Sequence, residues 1–220
     1  MGEPVKGKSE AGRRREQRAH ATRQRIMDAA LGLFTANGYV ATTVEAIAFE
    51  ARVAPATVYQ AFGTKHALLA KTLDIGVAGD HEPVALLDQT WVTRARAEPD
   101  PSRRLSIVVR HAAQVAARTA AIKNVIRDAA ATDPQARELL RIDTERRFRT
   151  QQTLVEVIID EDSLRDGVPP EQATALFFAL VNSDSYQLLV EQLGWSTQKW
   201  ERWLTGLLQR ELLGDNPRPL

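Results

Sequence analysis

Residues 55–60 read Pro-Ala-Thr-Val-Tyr-Gln. Within them Thr57, Tyr59 and Gln60 are the side chains with something to offer chemically. A hydroxyl, a phenol and a carboxamide this close together make neither a nucleophile–base pair nor a metal site. They are hydrogen-bonding groups of the kind that read base edges or hold a phosphate. Pro55 and Ala56 beside them are compact enough for a helix to enter a major groove. Covalent and metal chemistry finds little support elsewhere. The chain has no cysteine, which removes thiolate nucleophiles, disulfides and zinc–thiolate sites together. Its four histidines, His20, His66, His81 and His111, form no i, i+4 pair for a metal. No phosphate-cradling Gly-rich loop and no serine nucleophile elbow appears. The acidic run Asp160-Glu161-Asp162 reads as a solvated helix end. No catalytic residue, metal or cofactor is expected, and the chain reads as a non-enzyme.

The elements that must hold Thr57, Tyr59 and Gln60 follow from apolar spacing. Ile26, Ala29, Ala30, Leu33 and Phe34 recur at i, i+3, i+4, i+7 and i+8, one face of a helix. Asn37-Gly38 should stop it, since both residues tolerate the left-handed conformation. Thr42-x-x-Glu45 reads as a capping box opening a second helix, with Val44, Ile47, Ala48 and Ala51 facing inward. Pro55 suits the first turn of a third helix, in which Val58 is the inward anchor and Phe62 closes the exit. Gly63-Thr64 ends it, and Thr64 can cap a fourth helix running from Lys65 through Leu69 and Leu73. Isolated helices shorter than ~12 residues are marginal, so the first and fourth must clamp the short pair. At the first turn of a helix Lys65 opposes the dipole by roughly 0.3–1 kcal/mol. An arriving phosphate would reverse that sign. Tyr59 and Lys65 are therefore expected on phosphates, Thr57 and Gln60 on bases.

Charge divides the chain the same way. Through Lys71 there are 11 Lys/Arg against 6 Asp/Glu, and beyond it 18 against 22. A basic first third on an acidic remainder points to a polyanion met by the N-terminal part. Residues 1–20, polar and basic, read as a disordered arm, with Arg13 to Arg15, Arg18, Arg23 and Arg25 available for phosphates or a minor groove. They hold no apolar stretch of a secretory signal. The longest uninterrupted apolar run, Ala175 to Val181, is too short to span a bilayer, and a cytoplasmic protein that avoids membranes is expected.

Beyond Gly79 the periodicity stays helical, with no strand alternation. It predicts a short segment around Leu86–Trp91 and helices over 103–119, 122–130, 134–159 and 170–193. Ser196 should cap the last helix, with Trp200, Trp203, Leu204 and Leu207 in its stripe. The architecture is all-α, about nine helices, a small basic head on a larger body. The two C-terminal helices carry more apolar surface than a small body needs, so Phe177, Leu188, Trp200, Trp203, Leu204 and Leu207 are expected in a homodimer interface. Trp91 and His111, with Arg110 and Tyr186 as lesser candidates, could line a ligand pocket.

The stretch Asn37 to Leu69, "NGYVATTVEAIAFEARVAPATVYQAFGTKHALL", resembles the tetracycline-repressor family of bacterial transcriptional regulators. Gly38, Tyr39, Thr42, Thr43, Ile47, Ala48, Thr57, Tyr59, Phe62, Lys65 and Leu68 match the family pattern. Arg52 departs from a common glycine and Ala54 from a common serine cap. The resemblance implies a helix-turn-helix head over 21–78 and a ligand-binding and dimerisation body over 79–214, and the polar, proline-containing residues 215–220 read as a loose tail. Recognition falls to Thr42–Phe62. Thr42 and Thr43 open the second helix, Arg52 and Ala54 lie in the turn, and Pro55, Ala56, Thr57, Tyr59 and Gln60 form the short helix, with Lys65 beyond. The implied function is a dimeric repressor on a near-palindromic double-stranded operator, released by a small molecule. The competing reading is a helical small-molecule or lipid-binding protein that keeps the head as scaffold.

Overall fold

The computed structural model describes residues 10–78, 89–158 and 163–213. Ten α-helices make up the described chain, without a strand. They are α1 (Glu10–Asn37), α2 (Val44–Glu50), α3 (Pro55–Phe62), α4 (Lys65–Ala78), α5 (Thr90–Ala97), α6 (Pro101–Ala130), α7 (Pro134–Ile158), α8 (Pro170–Leu180), α9 (Ser183–Tyr186) and α10 (Thr197–Leu212). A π-helical stretch, Gln187–Gln192, continues α9. The chain divides into two compact units within α4, residues 1–72 and 73–220. The expected segment at Leu86–Asp88, the run Asp160–Asp162, His81 and the tail 215–220 lie outside the described residues.

Local chemistry sets most boundaries. Asp100 Oδ1 accepts from the Ser102 amide ahead of α6, and Asp133 Oδ1 accepts from Gln135 and Ala136 at the start of α7. Ser196 Oγ accepts from Lys199 at the start of α10, as its sequence position predicts. Such caps satisfy amides that have no partner within the helix.

In the second unit α6 packs against α5, α7, α9 and α10. Leu105, Val109, Phe177, Trp200, Leu204 and Leu208 are fully buried in its core. Ion pairs add cross-links: Lys123 meets Asp143 at 2.9 Å between α6 and α7, and Arg110 meets Glu201 at 3.1 Å between α6 and α10.

Three expectations change. The arm is helical from Glu10, because Arg, Glu, Gln and Ala favour helix even without an apolar face to reveal it. The break expected near 120 is absent: the alanines there continue α6, and Thr119 bonds back to the Val115 carbonyl. Conversely, the single helix expected over 170–193 is interrupted. Val181 leaves helical geometry, and Asn182 Oδ1 caps α9 by accepting from Asp184 and Ser185.

Candidate nucleic-acid interface

The head is built on α1, whose buried face is Ile26, Met27, Ala29, Ala30 and Phe34. Gly38, at φ 79°, ends α1 with its amide on the Phe34 carbonyl. The cap of α2 lies one residue later than the capping box predicts. Thr43, not Thr42, accepts from the Ala46 amide at 3.1 Å, which leaves Glu45 out of box register. Thr42 is only 2% exposed. Its hydroxyl donates 2.8 Å to the Gly38 carbonyl and lies 3.1 Å from that of Leu33. Its side chain therefore closes the end of α1 and is not available to DNA, whereas Thr43 is exposed.

The turn from α2 to α3 is a Schellman motif. The Val53 amide reaches back to the Ala48 carbonyl at 3.0 Å, and the Arg52 amide to that of Phe49 at 3.1 Å. That geometry needs a left-handed residue at position 52, and Arg52 has φ 56°. It is the one positive-φ residue other than glycine among the described residues. A side chain there costs roughly 1–2 kcal/mol. Its guanidinium is exposed.

Ala54 precedes α3 in extended conformation with no side-chain cap, and Pro55 occupies the first turn. Val58 is 2% exposed and anchors α3 to the head. Ala54, Pro55, Ala56, Tyr59 and Gln60 are exposed and Thr57 is half-buried. Gly63, φ 77°, closes the helix onto the Tyr59 carbonyl. Thr64 caps α4 by accepting from Ala67.

Lys65 has a different occupation from the one its position suggested. Its Nζ donates to the carbonyls of Thr42 at 2.8 Å, Tyr39 at 2.9 Å and Val40 at 3.4 Å. It also lies 4.3 Å from the centroid of the Tyr39 ring. All three ammonium donors are thus engaged with the connection between α1 and α2. These bonds offset the unfavourable dipole at the start of α4. Lys65 braces the segment that presents Thr43.

Sequence periodicity missed one feature of the head. Phe49, on the outer face of α2, is 85% exposed. Its place off the Val44–Ile47–Ala48 face was the available signal.

In the body the two pocket candidates meet. Trp91 and His111 stack with ring centroids 4.0 Å apart and planes 16° from parallel. Trp91 Nε1 donates to Gln89 Oε1. Burial, reinforced by the positive charge of Arg118, pushes the His111 pKa down to about 4, so this imidazole is neutral near pH 7. The lesser candidates lie elsewhere: Arg110 is paired with Glu201, and the Tyr186 hydroxyl is 2.8 Å from that of Thr197.

The expected interface set divides. Phe177, Trp200 and Leu204 are fully buried within the chain's own core and offer nothing to a second copy. Leu188 is 50% and Trp203 37% exposed, while Leu207 is half-buried.

These geometries define a helical head with an exposed polar face on its second short helix. The model of the bacterial regulatory proteins of the tetR family matches residues 26–72. The match covers the head alone, from the buried part of α1 through α2 and α3 into α4, so this segment is similar to the N-terminal domain of that family. No curated protein sequence matches the chain. Among solved structures it is similar to NalD of Pseudomonas aeruginosa, the secondary repressor of the MexAB-OprM multidrug efflux pump. That match has 22% identity and a TM-score of 0.66 over 91% of this chain and 100% of the other. It is also similar to the fatty acid degradation regulator FadR from Bacillus halodurans, at 17% identity and TM-score 0.62, over 85% and 94% of the two chains. A choline-bound protein from Saccharomonospora viridis, described as a transcriptional regulator, matches at 19% identity and TM-score 0.63, over 87% and 97%. No described helix is long and apolar enough to cross a membrane.

Proposed function

We propose that the protein is a cytoplasmic, non-enzymatic repressor that binds a near-palindromic operator as a homodimer and leaves it when its body takes up a small molecule. The observation that carries the reading is the presentation of α3. Val58 fixes one side, and Ala56, Tyr59 and Gln60 stand exposed on the rest, with Thr57 at the edge. Thr57 and Gln60 address base edges, and Ala56 and Pro55 allow close approach. Tyr59, Thr43 and Arg52 take phosphates, and Ala54 contributes only its backbone. Thr42 and Lys65 act from behind by holding the connection that carries Thr43.

Leu188, Trp203 and Leu207 supply the dimer surface. Trp195 and Trp203 meet edge to face at 5.9 Å, which presents a rigid aromatic corner to the second copy. The Trp91–His111 stack lies in the ligand-binding region, where a flat, uncharged surface suits an apolar or aromatic compound. The choline held by the S. viridis neighbour supports only the broader point that a protein of this fold can take up a small molecule.

The test is selection of binding sites from random duplex DNA, followed by affinity measurements across salt concentrations. A two-fold site with half-sites about 34–36 Å apart, or a multiple of that, is expected, with affinity falling steeply as salt rises. Enrichment of no sequence, together with binding of small molecules or lipids, would establish the competing reading of the head as scaffold.

A further inference from the structure

The N-terminal stretch gains a specific role from being helical. Ile26 is the first buried residue of α1, so 16 helical residues, Glu10–Arg25, precede the head's core. At 1.5 Å per residue this is a rod of roughly 24 Å. It carries six arginines against two glutamates, Glu10 and Glu16. All six arginines are exposed. Arg14, Arg18 and Arg25, at i, i+4 and i+11, share one helical face with Arg15 at its edge. Arg14 pairs with Glu10 at 2.6 Å, both side chains largely solvated. Such a pair is weak and steadies the first turn.

Composition decides what the rod fits. Residues 10–25 contain no Leu, Ile, Val, Met, Phe, Tyr or Trp. A protein groove needs apolar anchors and a membrane surface needs an apolar face, and the rod has neither. A polyanion needs only charge at the right spacing. Duplex DNA carries one negative charge per ~1.7 Å of axis, so roughly 24 Å of helix runs beside about seven base pairs.

Resting on the reading of the head as an operator-binding domain, we infer that Glu10–Arg25 is a rigid second DNA contact. It lies along the phosphate backbone of the duplex flanking the bases that α3 reads. It sets register and affinity without adding sequence preference. Rigidity separates this from a flexible basic arm, which would need only the charges.

Three proteins and two duplexes test it: a minimal operator, and the same operator with about ten further base pairs on each side. Wild type should bind the longer duplex more tightly. Arg14→Ala/Arg15→Ala/Arg18→Ala should lose that gain, lower the salt slope by roughly 0.9 for each phosphate contact removed, and leave base preference unchanged. Ala19→Pro keeps every charge but removes a helical bond and clashes with the preceding turn. It should lose the gain as well, with the head still folded because its core begins at Ile26. Full retention of the gain by Ala19→Pro overturns the rod in favour of a flexible arm. A wild type that binds the operator but gains nothing from flanks overturns this inference alone. A wild type that binds no duplex overturns the reading of the head, and this inference with it.

Discussion

At Arg52 and Lys65 the head uses residues in ways their identities alone do not disclose. Arg52 holds the left-handed position of the Schellman turn, where glycine would sit without strain. Arg52→Gly should relieve up to 1–2 kcal/mol of conformational cost, less the roughly 0.5–1 that glycine loses on folding. The expected outcome is a head as stable or more stable in thermal melts, with weaker operator binding and a shallower salt dependence. Unchanged affinity would remove Arg52 from the interface. Lys65→Ala should destabilise the head by about 2 kcal/mol, since it frees three backbone carbonyls. It should weaken every DNA sequence alike while leaving the salt slope intact, which separates a brace from a phosphate contact. His111 gives a pH prediction. Its pKa is lowered from 6.5 to about 4, so the unfolded chain takes up a proton that the folded body resists. Stability present above pH 6.5 should be lost progressively towards pH 4. His111→Phe, which can keep a ring against Trp91, should flatten that part of the melting-temperature profile relative to wild type. The Arg52 strain was legible only through the family resemblance, which puts a common glycine at that position. The Lys65 brace was not, because its acceptors are backbone carbonyls 23 to 26 residues away.

At the scale of elements, apolar periodicity together with Pro, Gly and cap signals found α2, α3, α4, α7 and α10 but could not apportion their surfaces. In α10, Trp200, Leu204, Leu208 and Leu212 are all fully buried, one row at i, i+4, i+8 and i+12. Trp203 and Leu207 form the next row, which the core does not cover completely. A sequence shows one wide stripe; only packing shows that one edge is core and the other is left partly uncovered. The same limit explains why α8 and α9 read as one helix. Asn182 is an ordinary polar residue until its carboxamide takes up the two amides of α9. Leu207→Glu should therefore separate the dimer in sedimentation while the protomer keeps its helical signal and cooperative melt. Leu204→Ala should instead cost about 2–5 kcal/mol of protomer stability by leaving a core cavity. An unaltered dimer for Leu207→Glu would move the interface away from that row.

For the whole molecule the question is how a ligand in the body could reach DNA, and α4 is the element the two units share. It begins at Lys65, tied to the segment before α2, and its last turns are held within the second unit. Asp74 pairs with Arg146 of α7 at 3.1 Å, and Arg118 of α6 donates to the Gly76 carbonyl at 3.0 Å. A Cβ built on Gly76 would lie 3.1 Å from Thr119, so α6 and α4 meet at close range there. Arg118 is also the charge that acts on His111 two turns earlier on α6. A compound settling against the Trp91–His111 stack would thus perturb the helix that grips α4. A graded response needs only about 1–3 kcal/mol of coupling, whereas a near-complete switch needs about 5.5. Linkage requires operator DNA to weaken the ligand by the same factor that the ligand weakens DNA. Calorimetric titration of an inducing compound with and without operator should show that difference in wild type. In Arg118→Ala the two affinities should converge, although the compound and the operator each still bind when offered alone. If Arg118→Ala preserved the full difference, the Arg118–Gly76 contact would not carry the signal, and the Asp74–Arg146 pair, tested by Asp74→Asn, would be the next candidate.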